Sequence, residues 1–170
     1  MRLVVADTGP LHYLVLIGHI DLIPASFETV LVPSEVQDEL SRAEAPPEVR
    51  SWIANPPAWV TVVPAPAATT DPLLLRLDRG ERAAIVLAIS LKIDAIIMDD
   101  RAGVTAAKAK GFAVVGTLGI LDAAARQGKI DLAQALDRLR KTTFRRKDEL
   151  FDAVLKKHRE EGGAVGGGSD

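Results

Sequence analysis

Apolar and polar positions alternate in blocks along this chain, and most blocks end on a recognisable stop. Leu3-Val4-Val5-Ala6 is a short apolar run that breaks on Asp7-Thr8-Gly9. A run of that length bounded by a turn predicts a strand buried on both faces, as in a parallel sheet covered by helices. The apolar positions Leu11, Leu14, Val15, Ile17, Ile20, Leu22 and Ile23 predict one or two short helices, interrupted near Gly18 and closed by Pro24. Residues 27–32 read as a second strand, with Pro33 and Ser34 opening the next helix. In that helix Glu35 and Glu39 stand four apart and project from one face. Pro46, Pro47, Pro56 and Pro57 bracket a short helix carrying Trp52, residues 60–63 form a strand ended by Pro64, and residues 64–72 read as a loop.

The second half repeats the design. Residues 80–91 are strongly helical and too apolar for a one-sided surface helix, so they are expected to lie against the sheet, with Glu81 at the helix start. Ala95-Ile96-Ile97-Met98 is another apolar strand ending on carboxylates, Asp99 and Asp100. Helices over 102–110 and about 118–127, with a strand at 112–115 between them, complete a strand–helix alternation. Alternation of this kind predicts an α/β domain: a mostly parallel central sheet flanked by helices in three layers. Asp131 starts a further helix, and residues 138–147 carry six cations and no acid before a last amphipathic helix. Residues 161–170 hold too little apolar side chain to pack.

Composition narrows the chemistry. With 170 residues and 48% hydrophobic content, one domain with a full core is expected, filled by aliphatic side chains because aromatics make up only 4%. There are no cysteines, which excludes thiolate metal sites and thiol nucleophiles, and the three histidines, His12, His19 and His158, show no ligand spacing. A net charge of −2 rules out generic polyanion binding, so any nucleic-acid affinity must be local. No apolar run approaches the roughly 20 residues of a bilayer span and no secretion signal is recognisable, so no membrane partner and a cytoplasmic location are expected.

What remains is acid. An Asp after a strand usually just caps the next helix. If the strands ending at Asp7 and Met98 are neighbours, however, Asp7, Glu39, Glu81 and Asp99 or Asp100 meet at one sheet edge, where ligands of parallel sheets bind. Clustered carboxylates raise one another's pKa unless a counter-charge joins them. A divalent cation held by oxygen ligands alone would be Mg²⁺ or Mn²⁺, and such an ion suits hydrolysis of a phosphodiester.

These same residues carry a family resemblance. Asp7-Thr8-Gly9, then Val32-Pro33-Ser34-Glu35-Val36 leading to Glu39-Leu40, then Gly80-Glu81-Arg82-Ala83-Ala84-Ile85, then Ile96-Ile97-Met98-Asp99-Asp100-Arg101 resemble, in order, the four acidic motifs of PIN-domain proteins, in the branch that includes VapC-like toxins. The resemblance implies a PIN-like fold and a Mg²⁺- or Mn²⁺-dependent ribonuclease. It implies Asp7 and Glu81 as metal ligands, Glu39 as an orienting acid, and Asp99 or Asp100 completing a catalytic and metal-binding set. RNA is then the substrate, with an antitoxin protein and a second copy of the chain as partners. The alternative is a catalytically inactive PIN-like binding or regulatory protein. The chain departs from the family pattern in having Glu81 where many members have Asp, and Met98 where Thr or Ser is frequent. Domain limits follow as 1–128 for the PIN-like domain, 129–160 for a helical extension and 161–170 for a flexible tail. A haloacid-dehalogenase-like site would need a second Asp at position 9, where Gly9 stands, and the glycine fingerprint of a dinucleotide fold is missing. The helical run at 80–91 argues against an all-β aspartic protease built on Asp7-Thr8-Gly9.

Overall fold

The computed structural model describes residues 2–66, 68–146 and 148–165. The chain divides into two compact units, Met1–Thr117 and Leu118–Asp170.

The first unit is an α/β layer structure. Its elements run β1 (Leu3–Ala6), α1 (Thr8–Leu16), a 3-10 turn (Ile20–Ala25), β2 (Thr29–Pro33), α2 (Ser34–Leu40), α3 (Pro47–Ala54), β3 (Val60–Val63), α4 (Pro72–Leu75), α5 (Arg79–Ser90), β4 (Ala95–Ile97), α6 (Arg101–Ala109) and β5 (Ala113–Val115). The five strands lie in the order β3-β2-β1-β4-β5 and every pairing is parallel. β1 is central, and Val4, Val5 and Ala6 are completely buried. That is why the opening run has no polar alternation: both of its faces are covered. The chain leaves β1 toward β2 and β3, then returns to the other side of β1 for β4 and β5. With right-handed crossovers this reversal places helices on both faces of the sheet.

α5 is the main covering helix. It buries Ala83, Ala84, Ile85, Leu87 and Ala88, and its core cluster includes Val5, Leu31, Ile96 and Met98 from the strands and their ends. Each large aliphatic side chain buried there contributes on the order of 1.5–3 kcal/mol. Small alanines let the helix approach the sheet closely.

The structure differs locally from the sequence expectation. The proline-rich stretch ends in a helix, α4, because the Asp71 carboxylate accepts from Leu73 N–H at 2.9 Å and Pro72 occupies the first helical position. Pro33 closes β2 from inside the strand, opposite Val63. Pro24 lies within the 3-10 turn instead of after it.

The second unit takes α7 (Thr117–Arg126) from its second residue on, then α8 (Leu132–Arg140) and α9 (Asp148–Val165). Asp131 caps α8 through Gln134 N–H at 3.0 Å, and Leu132, Ala135, Leu136 and Leu139 form its buried stripe. Phe144 and Phe151 meet edge to face, with ring centres 6.0 Å apart. Of the segment read from sequence as a tail, α9 includes residues through Val165, and 166–170 lie outside the described residues. No helix among the described residues is long and apolar enough to cross a membrane.

Candidate functional site

The strand order reverses between β1 and β4, so a crevice opens at their carboxyl ends. Asp7 stands there just after β1, its backbone N–H donating to Ile97 O at 2.9 Å. Asp99 follows β4, after Met98 N–H has paired with Val115 O at 3.0 Å. The two strand ends expected to be neighbours are therefore hydrogen-bonded neighbours. Asp7 precedes α1 but its carboxylate makes no capping bond to that helix beyond the adjacent Thr8 N–H. It is 6% exposed, so it is not an ordinary solvated cap.

The other acids come from the end of β4 and from two helices, α2 and α5. Asp99 is fixed by Thr117, whose N–H reaches Oδ1 at 2.7 Å and whose hydroxyl donates to Oδ2 at 2.5 Å. Its Oδ2 also lies 3.8 Å from where a Cβ on Gly9 would stand, which puts the carboxylate beside the first turn of α1. Asp100 does different work: Oδ1 accepts from Ala102 N–H at 3.0 Å and Gly103 N–H at 3.4 Å, capping α6. Glu39, on α2, accepts from the Thr8 hydroxyl and lies against Gly80, where an added Cβ would sit 2.7 Å from its Oε1. Glu81, in the first turn of α5, is 4% exposed and packs beside Gly103.

Burial dominates the electrostatics. The Asp7 carboxyl is pushed up to about 7, first by desolvation and then by the charges of Asp78, Glu39 and Asp99, with Thr8 N–H opposing. Glu81 is pushed up to about 9, again first by desolvation, then by Asp78, Asp100 and Asp7, and by a hydrogen bond with Asp78 that favours its protonated form. Both groups prefer to keep a proton unless a cation takes its place.

A family model described as PIN domain matches residues 3–160. The chain belongs to the PIN-domain family. No curated protein and no solved structure matches it significantly.

PIN domains are generally nucleases and typically use divalent metals, and the donors of this one suit such an ion: hard carboxylate oxygens, two of them on buried groups that have no cationic partner among the described residues. Among the described residues no three acidic or histidine side chains converge closely enough to hold a metal as they stand. The hydrogen bonds explain the spread. Thr8 holds Glu39, Thr117 holds Asp99, and Asp100 is committed to its helix.

The sequence reading passed over Asp78, Thr117 and Gly116, and it quoted Thr8 and Gly80 within motifs without foreseeing their contacts with Glu39. Asp78-Arg79-Gly80-Glu81 has the spacing of a capping box, and Asp78 Oδ1 indeed accepts from Glu81 N–H at 2.9 Å. That signal would have set the start of α5 before position 80. Gly116-Thr117 after β5 mirrors Thr8-Gly9 after β1, a glycine beside a small hydroxyl residue at a strand end. The cationic run at 138–147 is partly neutralised: Arg140 pairs with Asp152 at 3.0 Å and Lys141 with Asp137 at 3.1 Å, while Lys147 lies outside the described residues.

Gly116 supplies a direct test of how Asp99 is held. A Cβ there would stand 2.6 Å from Asp99 Oδ1, so Gly116→Ala must displace the carboxylate or the backbone. The expected cost is about 1–3 kcal/mol in thermal or urea unfolding. In the Gly116→Ala/Asp99→Ala double variant much of it should be recovered, because the clashing atom is gone. Strictly additive costs would show that the glycine is needed for another reason.

Proposed function

We propose that this PIN domain is a Mg²⁺- or Mn²⁺-dependent ribonuclease whose reaction takes place at the β1/β4 crevice. The observation that carries the reading is the burial of Asp7 and Glu81 at a topological switch point, with their carboxyls held far above the ordinary range and no ion pair to either among the described residues. A structural role alone would leave two acids out of water at a net loss. A divalent ion bound there would offset that loss, position water on a phosphodiester and stabilise the charge developing on the phosphate oxygens.

The protein's own groups have separable tasks in this reading. Asp7 and Glu81 are the primary ligands. Asp99 is the better fourth-motif candidate, since Asp100 is occupied as the cap of α6. Glu39, tethered by Thr8, orients from the α2 side. A cytoplasmic toxin of a toxin–antitoxin pair, bound by an antitoxin protein and acting as a homodimer, is the biological setting we propose for it.

One observation favours the second reading, a PIN-like protein that binds without turnover: the acids are spread over separate donors and one ligand is the longer Glu81. Incubating purified protein with single-stranded RNA separates the two. Cleavage in Mn²⁺ or Mg²⁺ that stops with EDTA is the expected result. RNA that stays intact while the protein binds it, in both ions and across many sequences, would leave the binding reading in place.

A further inference from the structure

Next to the acidic crevice lies a second, separate cavity. It is a cleft of about 240 Å³ formed by α2, the stretch before α4, α4 itself and α5. Pro66, Leu75, Ala83 and Val86 give it apolar walls, while Glu35, Arg79 and Arg82 bring charge to it. Two of these charges are unmatched. Glu35 Oε2 is shielded from solvent and accepts no hydrogen bond among the described residues. Arg82 is half-buried and forms no ion pair among the described residues, although an acid lines the same cleft. Arg79 has only a long contact of 3.5 Å with Asp38, both side chains being more than half exposed.

Opposite charges that share a cleft without meeting leave room for something between them. The location narrows what it is. Glu35 lies one helical turn ahead of Glu39 on α2, roughly 6 Å away along the same face. Arg79 and Arg82 flank Gly80 and Glu81 on α5. The cleft thus shares α2 with Glu39 and α5 with Glu81. Its volume suits one planar base and is below that of a drug-sized pocket. An ionised carboxylate is acceptor-only, and its last torsion is soft, so both oxygens can turn to a ligand. Guanine alone among the four RNA bases presents two adjacent N–H donor groups on its Watson–Crick edge. Adenine, cytosine and uracil set an acceptor beside their single donor group, which a carboxylate repels.

We propose that this cleft binds a guanine base of RNA, read by the Glu35 carboxylate between apolar walls, with Arg82 and Arg79 holding the adjoining phosphate. The proposal rests on RNA being the substrate, and it adds the base that flanks the cut. The test uses the full chain in EDTA, with GMP, AMP, CMP and UMP titrated separately and backbone amide shifts followed by NMR. GMP should move the amides of Glu35, Ala83 and Val86, with the other three at least about tenfold weaker. Glu35→Gln should remove that preference, because its amide places donors against guanine's. Arg82→Ala should weaken all binding of monophosphates at the cleft. Four equal responses, no response at these amides, or a GMP preference that survives Glu35→Gln would each overturn the proposal. The cleavage assay reads the other premise independently. If RNA is cut without regard to guanosine and GMP leaves the cleft unmoved, the cleft assignment falls and the nuclease stands. If GMP binds as expected while RNA remains intact in either metal, the nuclease reading falls and the cleft stands.

Discussion

Asp7→Asn should give a protein that is more stable without metal and has lost cleavage. An aspartate whose carboxyl moves from 3.8 to about 7 on folding carries a penalty of roughly 4 kcal/mol once ionised. The sign is fixed by which state holds the proton. Below about pH 4 both states are protonated and the penalty is absent. Between about 4 and 7 the unfolded chain releases its proton and the folded protein keeps it, so stability falls as pH rises. Above about 7 the whole penalty is present. Asparagine keeps the shape and the acceptor for Thr8 N–H but carries no charge. Burying its second polar group costs about 1–3 kcal/mol, which leaves a net gain of about 1–3 kcal/mol near pH 8. That gain should disappear near pH 4. Metal reverses the order: an ion at one hundred times its Kd stabilises the wild type by about 2.7 kcal/mol, and the variant should gain far less. Thermal melts of both proteins, with EDTA and with Mg²⁺, provide the comparison. Equal metal-induced shifts would remove Asp7 from the ligand set.

Metal affinity should depend steeply on pH, because the ion competes with protons for Asp7 and Glu81. With one carboxyl at about 7 and the other at about 9, binding below about pH 7 displaces two protons and between 7 and 9 displaces one. Apparent Mg²⁺ affinity should climb roughly a hundredfold per pH unit in the lower range and roughly tenfold in the upper. Glu81→Gln should bind more weakly and show the one-proton slope below pH 7. Calorimetry in buffers of different ionisation heat counts the protons released. An affinity that is flat between pH 6 and 8 would mean that neither buried acid touches the ion.

The layer arrangement was readable because each strand here is bounded by its own chemistry. Residues 3–6 and 95–98 stop on acids, residues 60–63 stop on proline, and the helix after Gly80 carries a broad apolar face, Ala83, Ala84, Ile85, Leu87 and Ala88, that suits it to cover a sheet. The fourth helix was hidden because four residues carry no period; only Asp71-Pro72 announced it. In the candidate site, Asp7, Glu81 and the doublet Asp99-Asp100 could be named from strand ends and a helix start, whereas Glu39, near the end of α2, entered through the family resemblance. Their partners could not be named. Thr117 lies 18 residues beyond Asp99, and Gly80 matters only because Glu39 folds against it from α2. Contacts of that kind are set by tertiary approach and leave no local pattern. The doublet Asp99-Asp100 shows the same division, since sequence offers two equal acids and the helix start takes one of them.

The central placement of β1 also governs how the protein is made. β1 emerges first, yet its pairing with β4 joins Ala6 to Ile97. Contacts so distant in sequence close slowly, since loop entropy is spent before they reward it. Until β4 is made, any sheet formed by β1, β2 and β3 in the order of the finished fold would leave its most apolar strand as an open edge. Such edges invite pairing with other chains. The acidic crevice cannot exist in that intermediate, because half of it arrives with β4. During synthesis at about 5–20 residues per second, the protein therefore passes several seconds with β1 made and its acidic edge still unbuilt.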